Sequence, residues 1–418
     1  MREMKESGVE WIGKIPNSWA SDKVKYHFSN TKRIVGTKVN EYQRLALTLK
    51  GVIKRSKDDN EGLQPSEFRG YQILKNGELV FKLIDLQNTA TSRVGLSSYT
   101  GIVSPAYIVL NGKDSIVPSF AEKYFLSMWH RNIFNHLGDS GVRSNLNAQE
   151  LLNVSIAYPN ITEQYKIADF LDQKCSEIDA LTTDIQTQIE TLEEYKKSVI
   201  TEAVTKGLDP NVEMKDSGVE WIGKIPANWT VIKIKYLSNE VNQKKLMNTE
   251  SMYSYLGLEN LKSYSDEIIK TETDYDEGIQ KFCHKGNVLF SKLRPYLAKV
   301  MICPYDTFAT SEFLELSPSE CVCDANYLKY SMLNSSFINE VNLSTYGAKM
   351  PRADASYIKN IKICITNLDE QHRIADFLDQ KCSEIDQTIS EKQQQLETLA
   401  EYKKSLIYEY VTGKKEVA

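Results

Sequence analysis

The sequence predicts a mixed α/β (α+β) fold in which one unit, a globular module followed by a long helix, occurs twice. Two repeats carry this prediction. Met4–Trp19 (MKESGVEWIGKIPNSW) returns as Met214–Trp229 (MKDSGVEWIGKIPANW), at an offset of 210 residues. Ile167–Asp179 (IADFLDQKCSEID) returns unchanged as Ile374–Asp386, at an offset of 207 residues. The predicted order is module, helix, module, helix, with the two copies related by an internal pseudo-twofold axis.

Inside each module, short apolar runs alternate with turn residues, which is the pattern of strands in a mixed module. The predicted strands include Glu78–Ile84, Ala106–Leu110, Asn287–Ser291 and Phe313–Leu316. The predicted helices of the modules are Ser119–Asn135 and Asp324–Asn339. Large aromatic side chains are usually buried, so we expect core or module–helix packing for the repeated tryptophans Trp11, Trp19, Trp221 and Trp229.

The segment after each module has the heptad pattern of a long amphipathic helix. Apolar residues seven positions apart are Leu171, Ile178, Ile185, Leu192 and Val199 in the first segment, and Leu378, Ile385, Leu399 and Leu406 in the second, where Lys392 interrupts the series. The residues expected beside this seam include Leu181, Ile189, Tyr195, Ile389, Leu396 and Tyr402. A seven-residue apolar repeat is buried by a partner helix, and a twofold relation makes the two helices an antiparallel coiled coil.

The ends of the helices define the predicted domains. Asn160 with Glu163, and Asn367 with Glu370, have the spacing of an N-cap and its reciprocal acid. The glycines expected to stop the helices are Gly207 and Gly413. The predicted boundaries are residues 1–159 for the first module, 160–207 for the first helix, 208–366 for the second module, 367–413 for the second helix and 414–418 for a tail.

Composition and hydropathy predict a cytoplasmic protein without a membrane anchor. Hydrophobic residues make up 41% of the chain and charged residues 26%, which are ordinary values for a globular protein. No apolar run reaches the roughly 18 residues of a membrane span, and the polar start MREMKESGVEW has no signal-peptide core.

The cysteines predict neither a disulfide framework nor a metal site. Seven cysteines is an odd number, and no second pair of Cys or His stands at the spacing of zinc ligands. Cys175 and Cys382 are equivalent in the two helix copies and are expected to be small packing residues.

The net charge of −5 is unevenly distributed along the chain. Residues 1–160 carry 21 basic and 15 acidic groups, and residues 213–366 carry 18 and 19. Residues 161–212 carry 5 basic and 11 acidic groups, and residues 367–418 carry 7 and 11. Acid is thus concentrated in the helical segments, and local basic patches on the modules matter more for nucleic-acid binding than the net charge does.

No catalytic motif stands out in the sequence. It contains neither a phosphate-binding loop of the G-x-x-x-x-G-K-[ST] type nor a G-x-G-x-x-G turn after a strand. An Asn-Pro-Pro-aromatic run, the motif of amino-methyltransferases, is also missing. The five histidines are scattered without the spacing of a triad. These observations predict a chain without catalytic activity or a cofactor of its own.

The candidate functional residues are basic side chains on module loops that are rich in Gly, Ser and Asn. In the first module they are Lys54, Arg55, Lys57, Lys82, Arg93 and Arg143. In the second module they are Lys244, Lys245, Lys292, Arg294, Lys349 and Arg352. Arginine can donate two hydrogen bonds to guanine, and lysine more often contacts phosphate, so these residues predict DNA binding.

Several motifs resemble the specificity subunit of type I restriction–modification systems. They are ESGVEWIGKIP followed by a Trp, the EQ-x-x-IADFLDQK helix, EYKKS and the duplication itself. Gly77–Asn88 with Gly101–Leu110, and Gly286–Val300 with Thr310–Leu316, are similar to two classes of that family's target-recognition domain. The resemblance covers nearly the whole chain in the expected order, and the two helix copies are its most specific part.

The resemblance implies a non-catalytic subunit that recognises a bipartite double-stranded DNA sequence, one half-site per module. Because the modules differ in sequence, the two half-sites should differ and the target should be asymmetric. Two modification subunits, which use S-adenosylmethionine to methylate adenine, would bind largely through the helices. Restriction subunits would join them for cleavage that needs ATP and Mg²⁺.

Two other classes of function remain open at this stage. A coiled-coil adaptor would assemble proteins and would not bind duplex DNA in a salt-dependent manner. An enzyme with nuclease or methyltransferase activity of its own would be active as an isolated chain.

Overall fold

The computed structural model describes residues 2–59, 67–86, 91–137, 145–247, 253–265, 267–269 and 277–417. Contacts divide the chain into two compact units, Met1–Ile185 with Gln394–Ala418 (unit one) and Gln186–Gln393 (unit two). Each unit therefore contains one module and a part of each long helix. The domain boundaries predicted from the sequence divide the chain into consecutive segments, whereas these units are defined by contacts. The predicted boundaries therefore stay a prediction.

The first module consists of short strands packed against short helices. Its strands are β1 (Met4–Glu6), β2 (Lys14–Pro16), β3 (Ala20–Lys23), β4 (Phe28–Ser29), β5 (Arg44–Thr48), β6 (Gly51–Arg55), β7 (Gln72–Leu74), β8 (Leu79–Phe81), β9 (Val94–Leu96), β10 (Gly101–Val103), β11 (Ile108–Gly112) and β12 (Ser155–Tyr158). Its helices are α1 (Val24–His27), α2 (Pro118–His130), α3 (Ile133–Leu137) and α4 (Ala148–Asn153), with a 3-10 helix at Gly36–Glu41. The long helix α5 (Ile161–Lys206) follows.

The second module has the same plan. Its strands are β13 (Met214–Asp216), β14 (Lys224–Pro226), β15 (Thr230–Lys233), β16 (Ser238–Val241), β17 (Gln243–Met247), β18 (Tyr255–Leu256), β19 (Gly278–Cys283), β20 (Val288–Ser291), β21 (Val300–Ile302), β22 (Thr307–Ala309), β23 (Phe313–Pro318) and β24 (Lys362–Ile365). Its helices are α6 (Ala325–Leu333), α7 (Ser335–Leu343) and α8 (Ala355–Asn360), with 3-10 helices at Ile234–Tyr236, Leu258–Asn260 and Pro295–Leu297. The long helix α9 (Leu368–Val411) follows.

The sheets of the two modules correspond strand for strand, with one difference. The sheet β4-β11-β8-β9 matches β16-β23-β20-β21. The other sheet has the order β6-β5-β10-β7 in the first module and β17-β19-β22-β18 in the second, and the parallel pair is β5·β10 in one and β18·β22 in the other. Three strands are thus shared, and the fourth strand is added at opposite edges, as β6 beside β5 and as β17 beside β19.

Each predicted module helix is in fact two helices. Ser119–Asn135 is divided between α2 and α3 at Asn132, whose φ of +57° lies outside the helical region. The second stretch is divided between α6 and α7 at Asn334, whose side chain accepts a hydrogen bond from Ser336 N at 2.8 Å and so caps α7. The Asn334 side chain competes with the helical backbone for hydrogen bonds, and Asn132 breaks the other helix because asparagine tolerates the left-handed conformation.

The two long helices pair in antiparallel fashion inside each unit, which confirms the predicted fold class. In unit one, Ile167 and Leu171 near the start of α5 share a core with Leu406 and Val411 near the end of α9. In unit two, the end of α5 shares a core with the start of α9 through Ile200, Val204, Ile374 and Leu378. Three flanking residues expected beside the seam are about half exposed, namely Leu181, Tyr195 and Tyr402. That part of the prediction was wrong because the buried stripe runs through the next position along each helix, where Lys196 is buried and Thr182 and Lys403 are half-buried.

The predicted N-caps are present, but their acids have other partners. Asn160 Oδ1 accepts a hydrogen bond from Glu163 N at 3.0 Å, and Asn367 does the same for Glu370 N. The Glu163 carboxylate accepts hydrogen bonds from Arg2 and from Trp19 Nε1 instead of closing a capping box. Trp19 and Trp229 are fully buried, as expected, whereas Trp11 and Trp221 are only partly buried against their module cores.

Candidate nucleic-acid interface

A strained loop follows β20 in the second module and carries two of the predicted residues, Lys292 and Arg294. The backbone of Arg294 has a φ of +50° and that of Ala298 a φ of +45°, so two non-glycine residues are left-handed on either side of the 3-10 helix Pro295–Leu297. Such conformations cost free energy and often mark functional sites.

Backbone hydrogen bonds join this loop to the segment before α8. Arg294 N donates to the Pro351 carbonyl at 2.7 Å, and Ala353 N donates to the Lys292 carbonyl at 2.9 Å. Arg352 lies between these two bonds. The structure thus places Lys292, Arg294 and Arg352 in one cluster, although they come from two sequence motifs about 60 residues apart. Lys349 is exposed on the same segment.

A carboxylate that the sequence analysis did not select holds Arg352. The Arg352 guanidinium binds both carboxylate oxygens of Glu312, with Nε and Oε2 2.8 Å apart. The same glutamate accepts a hydrogen bond from Lys292 N through its backbone carbonyl, at 3.0 Å. Two-point binding fixes the plane of a guanidinium, so Glu312 orients Arg352 and ties it to the Lys292 loop.

Positive charge is crowded at this cluster. Burial lowers the pKa of Lys292, and the neighbouring cations Arg352 and Lys281 lower it further, against smaller opposing effects of Glu240 and Asp354. Lys281 is buried in β19 and donates to the Val241 carbonyl at 3.1 Å. A bound anion would favour the charged form of Lys292, so this loop is suited to meet phosphate.

The predicted pair Lys244 and Lys245 lies on β17, the strand that only the second module adds. Lys244 is exposed and stands opposite Lys281 in the ladder. The ammonium group of Lys245 lies 3.2 Å from the centroid of the Phe282 ring and 5.7 Å from that of Tyr253, so it makes a cation–π contact in the module.

The corresponding basic residues of the first module lie on its own added strand, β6, and just after it. Lys54 Nζ lies 4.8 Å from the Tyr99 ring centroid. Arg55 Nε donates to Asp59 at 2.6 Å, and Lys57 Nζ donates to the Val39 carbonyl at 2.6 Å. In both modules, the strand that differs between them therefore carries a predicted basic cluster.

The burial of Arg93 argues against direct contact of its side chain with DNA. Its side chain has no exposed surface and donates to the carbonyls of Ile84 and Asp85, the second at 2.6 Å. Burial lowers its pKa, as it lowers that of the neighbouring Lys82, whose Nζ donates to Thr91 at 3.1 Å. Arg93 thus supports the loop after β8. Arg143 lies outside the described residues.

The structure also adds exposed apolar side chains that sequence reasoning missed. Tyr296 is 51% exposed on the strained loop, and Tyr346 and Met350 are 62% and 57% exposed on the segment that clamps it. Aromatic rings beside basic groups can stack on bases. The sequence did not single them out, because an isolated Tyr or Met in a module is as compatible with a buried position as with an exposed one.

Nothing in the described residues indicates a metal centre or a membrane span. No group of three or more His, Cys, Asp or Glu side chains there has the arrangement of metal ligands, and all seven cysteines are free thiols. None of the described helices combines the length and the hydropathy that crossing a membrane requires.

Comparison with known proteins agrees with this architecture. The family described as type I restriction modification DNA specificity domain matches residues 50–191 and 226–398. The MjaVIII specificity subunit of Methanocaldococcus jannaschii is 25% identical over 357 residues, which cover 82% of this chain and 80% of that protein. The EcoDI specificity subunit of Escherichia coli is 20% identical over 243 residues, with 54% of each chain covered.

Solved structures share the fold at low sequence identity. A chain in a structure that describes complex assembly and conformational transition of the type I R-M system has a TM-score of 0.72 and 14% identity, with 96% of this chain and 99% of that chain covered. The HsdS subunit of Thermoanaerobacter tengcongensis has a TM-score of 0.52 and 14% identity, with 96% and 98% covered. Since the family match spans most of both modules, the chain belongs to the type I restriction–modification DNA specificity family.

Proposed function

We propose that this chain is the DNA-recognition subunit of a type I restriction–modification complex. It reads an asymmetric, bipartite duplex sequence with one half-site per module, and it directs adenine methylation or cleavage by partner subunits. The chain itself contributes no catalytic step. S-adenosylmethionine, ATP and Mg²⁺ belong to the partners in this proposal.

The observation that carries the proposal is the two-loop cluster of Lys292, Arg294 and Arg352 in the second module. Its backbone is fixed by hydrogen bonds at 2.7 and 2.9 Å, and its arginine plane is fixed by Glu312. A guanidinium whose plane is already fixed loses little conformational entropy when it donates to a base. Lys244, exposed on β17 opposite Lys281, would supply a sequence-independent phosphate contact of the kind that DNA binding needs.

The differences between the modules support an asymmetric target. The shared strands form a common scaffold, while the added strands β6 and β17 lie at opposite edges and carry different basic residues. Two modules with the same scaffold and different contact residues would read different half-sites.

The identical exposed residues of the two helix copies support the binding of two copies of one partner. Positions of the identical thirteen-residue run that are exposed in both copies include Asp169 with Asp376, Gln173 with Gln380, and Glu177 with Glu384. Folding does not require a particular polar residue at an exposed site. Identity at such positions is expected if two copies of one partner, the modification subunit of this proposal, bind the two surfaces.

Duplex binding and co-purification test the proposal together. The purified chain, alone and co-expressed with a modification subunit, is titrated with duplex DNA at several salt concentrations. We expect binding that weakens steeply with salt, a stable complex of the two proteins, and no methylation or cleavage by the chain alone. Binding to proteins without salt-dependent binding to duplex DNA would favour the adaptor, and activity of the isolated chain would favour an enzyme.

A further inference from the structure

The two modules hold the loop after an equivalent strand in the same way, although the sequences of the loops differ. In the second module, the loop after β20 has Arg294 at a φ of +50°. In the first module, the loop after β8 has Asp85 at a φ of +53°. β8 and β20 occupy the same place in matching sheets, so these two left-handed residues are candidates for equivalent positions.

The hydrogen bonds of the two loops match as well. Arg294 N donates to the carbonyl of Pro351 at 2.7 Å, and Asp85 N donates to the side-chain oxygen of Asn145 at 3.0 Å. Two residues earlier, the Lys292 carbonyl accepts from Ala353 N at 2.9 Å. The carbonyl of Leu83 accepts in the same way, from Leu146 N, at 3.0 Å.

The segment that clamps each loop also continues identically. The residue after Ala353 is Asp354, which caps α8 by accepting from Tyr357 N at 3.0 Å. The residue after Leu146 is Asn147, which caps α4 by accepting from Glu150 N at 3.0 Å. Strand, left-handed residue, clamp and helix cap therefore correspond, and Asp85 stands at the backbone position of Arg294.

We infer that Asp85 is a specificity-determining residue of the first module, which reads a base at the position that Arg294 occupies in the second. This inference rests on the proposed function. The ligand group is an exocyclic amino group on a base edge in the major groove, cytosine N4 or adenine N6. An ionised carboxylate only accepts hydrogen bonds, and these amino groups are the donors that the major groove presents.

The surroundings of Asp85 suit this role. The residue is exposed, and no described residue donates a hydrogen bond to its carboxylate. Its own carbonyl accepts a hydrogen bond from the buried Arg93 at 2.6 Å, so the backbone at Asp85 is held in place. Burial lowers the pKa of Lys82 and of Arg93, and the nearby Asp85 carboxylate opposes part of this lowering in both, so the two cations lie close to it. Their positive charge offsets the repulsion that a carboxylate meets near DNA phosphates.

A backbone role for Asp85 is the competing explanation, because aspartate tolerates left-handed conformations better than most residues. Asp85→Gly separates the two explanations. Glycine adopts this backbone conformation without strain and removes only the carboxylate. Asp85→Asn is the second variant, since it keeps the turn and one acceptor oxygen while replacing the other with a donor.

The experiment selects sequences from a randomised duplex library with the full-length chain, co-expressed with its modification subunit. The parent, Asp85→Gly, Asp85→Asn and Arg294→Ala are compared. We expect Asp85→Gly to lower discrimination by about 5- to 150-fold at one base pair, which is the range of one good base contact. That base pair carries cytosine or adenine, and the base that loses its preference identifies which amino group is read. Asp85→Asn should weaken the preference at the same base pair.

The half-site affected must differ from the one that Arg294→Ala relaxes. If the parent enriches two half-sites and Asp85→Gly leaves both unchanged, or weakens all sequences equally, the inference about Asp85 is wrong and the proposed function stands. If the parent enriches no sequence at all, the proposed function fails and the inference fails with it.

Discussion

The indole ring of Trp229 packs against Gly207, the residue that ends helix α5. Its Cζ2 atom lies 3.3 Å from the position that a Cβ on Gly207 would take. Trp19 and Gly413 repeat this contact at the end of α9, at 3.2 Å, with Pro16 Cδ only 2.4 Å from the same Cβ position. Both glycines have a positive φ, +75° and +71°. The end of each repeated segment, Met4–Trp19 or Met214–Trp229, thus meets the end of a long helix at a left-handed glycine.

Gly413→Ala is expected to destabilise the chain by about 2–3 kcal/mol, because a left-handed alanine and an overpacked contact each add a cost. Gly77→Ala is the matched control. Gly77 has a φ of +81°, but nothing lies within 4 Å of its Cβ position, so only the backbone cost of about 1–2 kcal/mol applies. Urea denaturation followed by tryptophan fluorescence measures the difference. Equal losses for the two variants would show that the contact with Trp19 and Pro16 contributes nothing.

Two equivalent lysines of the EYKKS repeats are expected to differ in importance. Lys196 is 7% exposed and binds Asp386 at 2.7 Å and the Tyr264 carbonyl at 2.6 Å. Lys403 binds Asp179 at 2.6 Å, but its side chain is 29% exposed and that of Asp179 is 63% exposed.

Lys196→Met should therefore cost about 1–3 kcal/mol, because it removes two hydrogen bonds that a buried ammonium group donates. Lys403→Met should cost less than about 1 kcal/mol, as an exposed ion pair does. The free energies of unfolding of the two variants are compared under identical conditions. A larger loss for Lys403→Met would contradict the structure.

Acid should destabilise the chain partly through His130. Burial lowers its pKa from 6.5 to about 4, with help from Lys404 and Lys403. The unfolded chain then binds a proton between these two values while the folded chain does not, so stability falls as the pH falls from about 6.5 to about 4. The contribution of this one group reaches about 1.4 kcal/mol per pH unit at most.

His130→Leu removes that dependence, because leucine does not titrate. The difference in unfolding free energy between parent and variant should shift against the parent as the pH falls through this window and level off below about 4. A difference that does not change with pH would show that His130 titrates normally in the folded chain.

Base reading and phosphate binding should be separable in the second module. Arg294→Ala is expected to cost about 1–3 kcal/mol of discrimination at one base pair of one half-site. Lys244→Ala should weaken all sequences about equally and reduce the salt slope by about one. Competition binding with single-base variants of the preferred duplex measures both. If Arg294→Ala also weakens all sequences equally, its guanidinium contacts phosphate instead of a base.

Because the two helix copies have identical exposed residues, we expect the same residues of each copy to contact the modification subunit. Reversing the charge of both Asp169 and Asp376 to lysine should abolish co-purification with a modification subunit. The control is the double variant Ala180→Lys with Gln387→Lys. It adds lysines at equivalent exposed positions where the two copies have different residues. Co-purification that survives the aspartate changes would show that the partner binds elsewhere.

The long helices were predictable from the sequence because their signals are local. The heptad spacing, the N-caps Asn160 and Asn367 and the stop glycines each act within a few residues, and the structure has helices at Ile161–Lys206 and Leu368–Val411. Strand positions such as Val288–Ser291 and Phe313–Pro318 also followed from local alternation.

The candidate site was less predictable because it depends on pairing between distant segments. The charge pattern selected Arg294 and Arg352 separately, but only the hydrogen bonds to Pro351 and Glu312 bring them together. The same pattern selected Arg93, but its side chain is buried and donates to the carbonyls of Ile84 and Asp85. Nothing in the sequence pointed to Asp85. Its positive φ is seen only in the structure, together with the hydrogen bonds that join this loop to Asn145 and Leu146.

In the proposed function, the two modules read separate parts of one DNA target. The most direct measurement maps methylated adenines across the genome of a host that expresses the chain with its modification subunit. We expect one asymmetric motif made of two specified blocks separated by a fixed number of unspecified base pairs, and Arg294→Ala should relax one block only. A single continuous motif, or a variant that alters both blocks together, would contradict it.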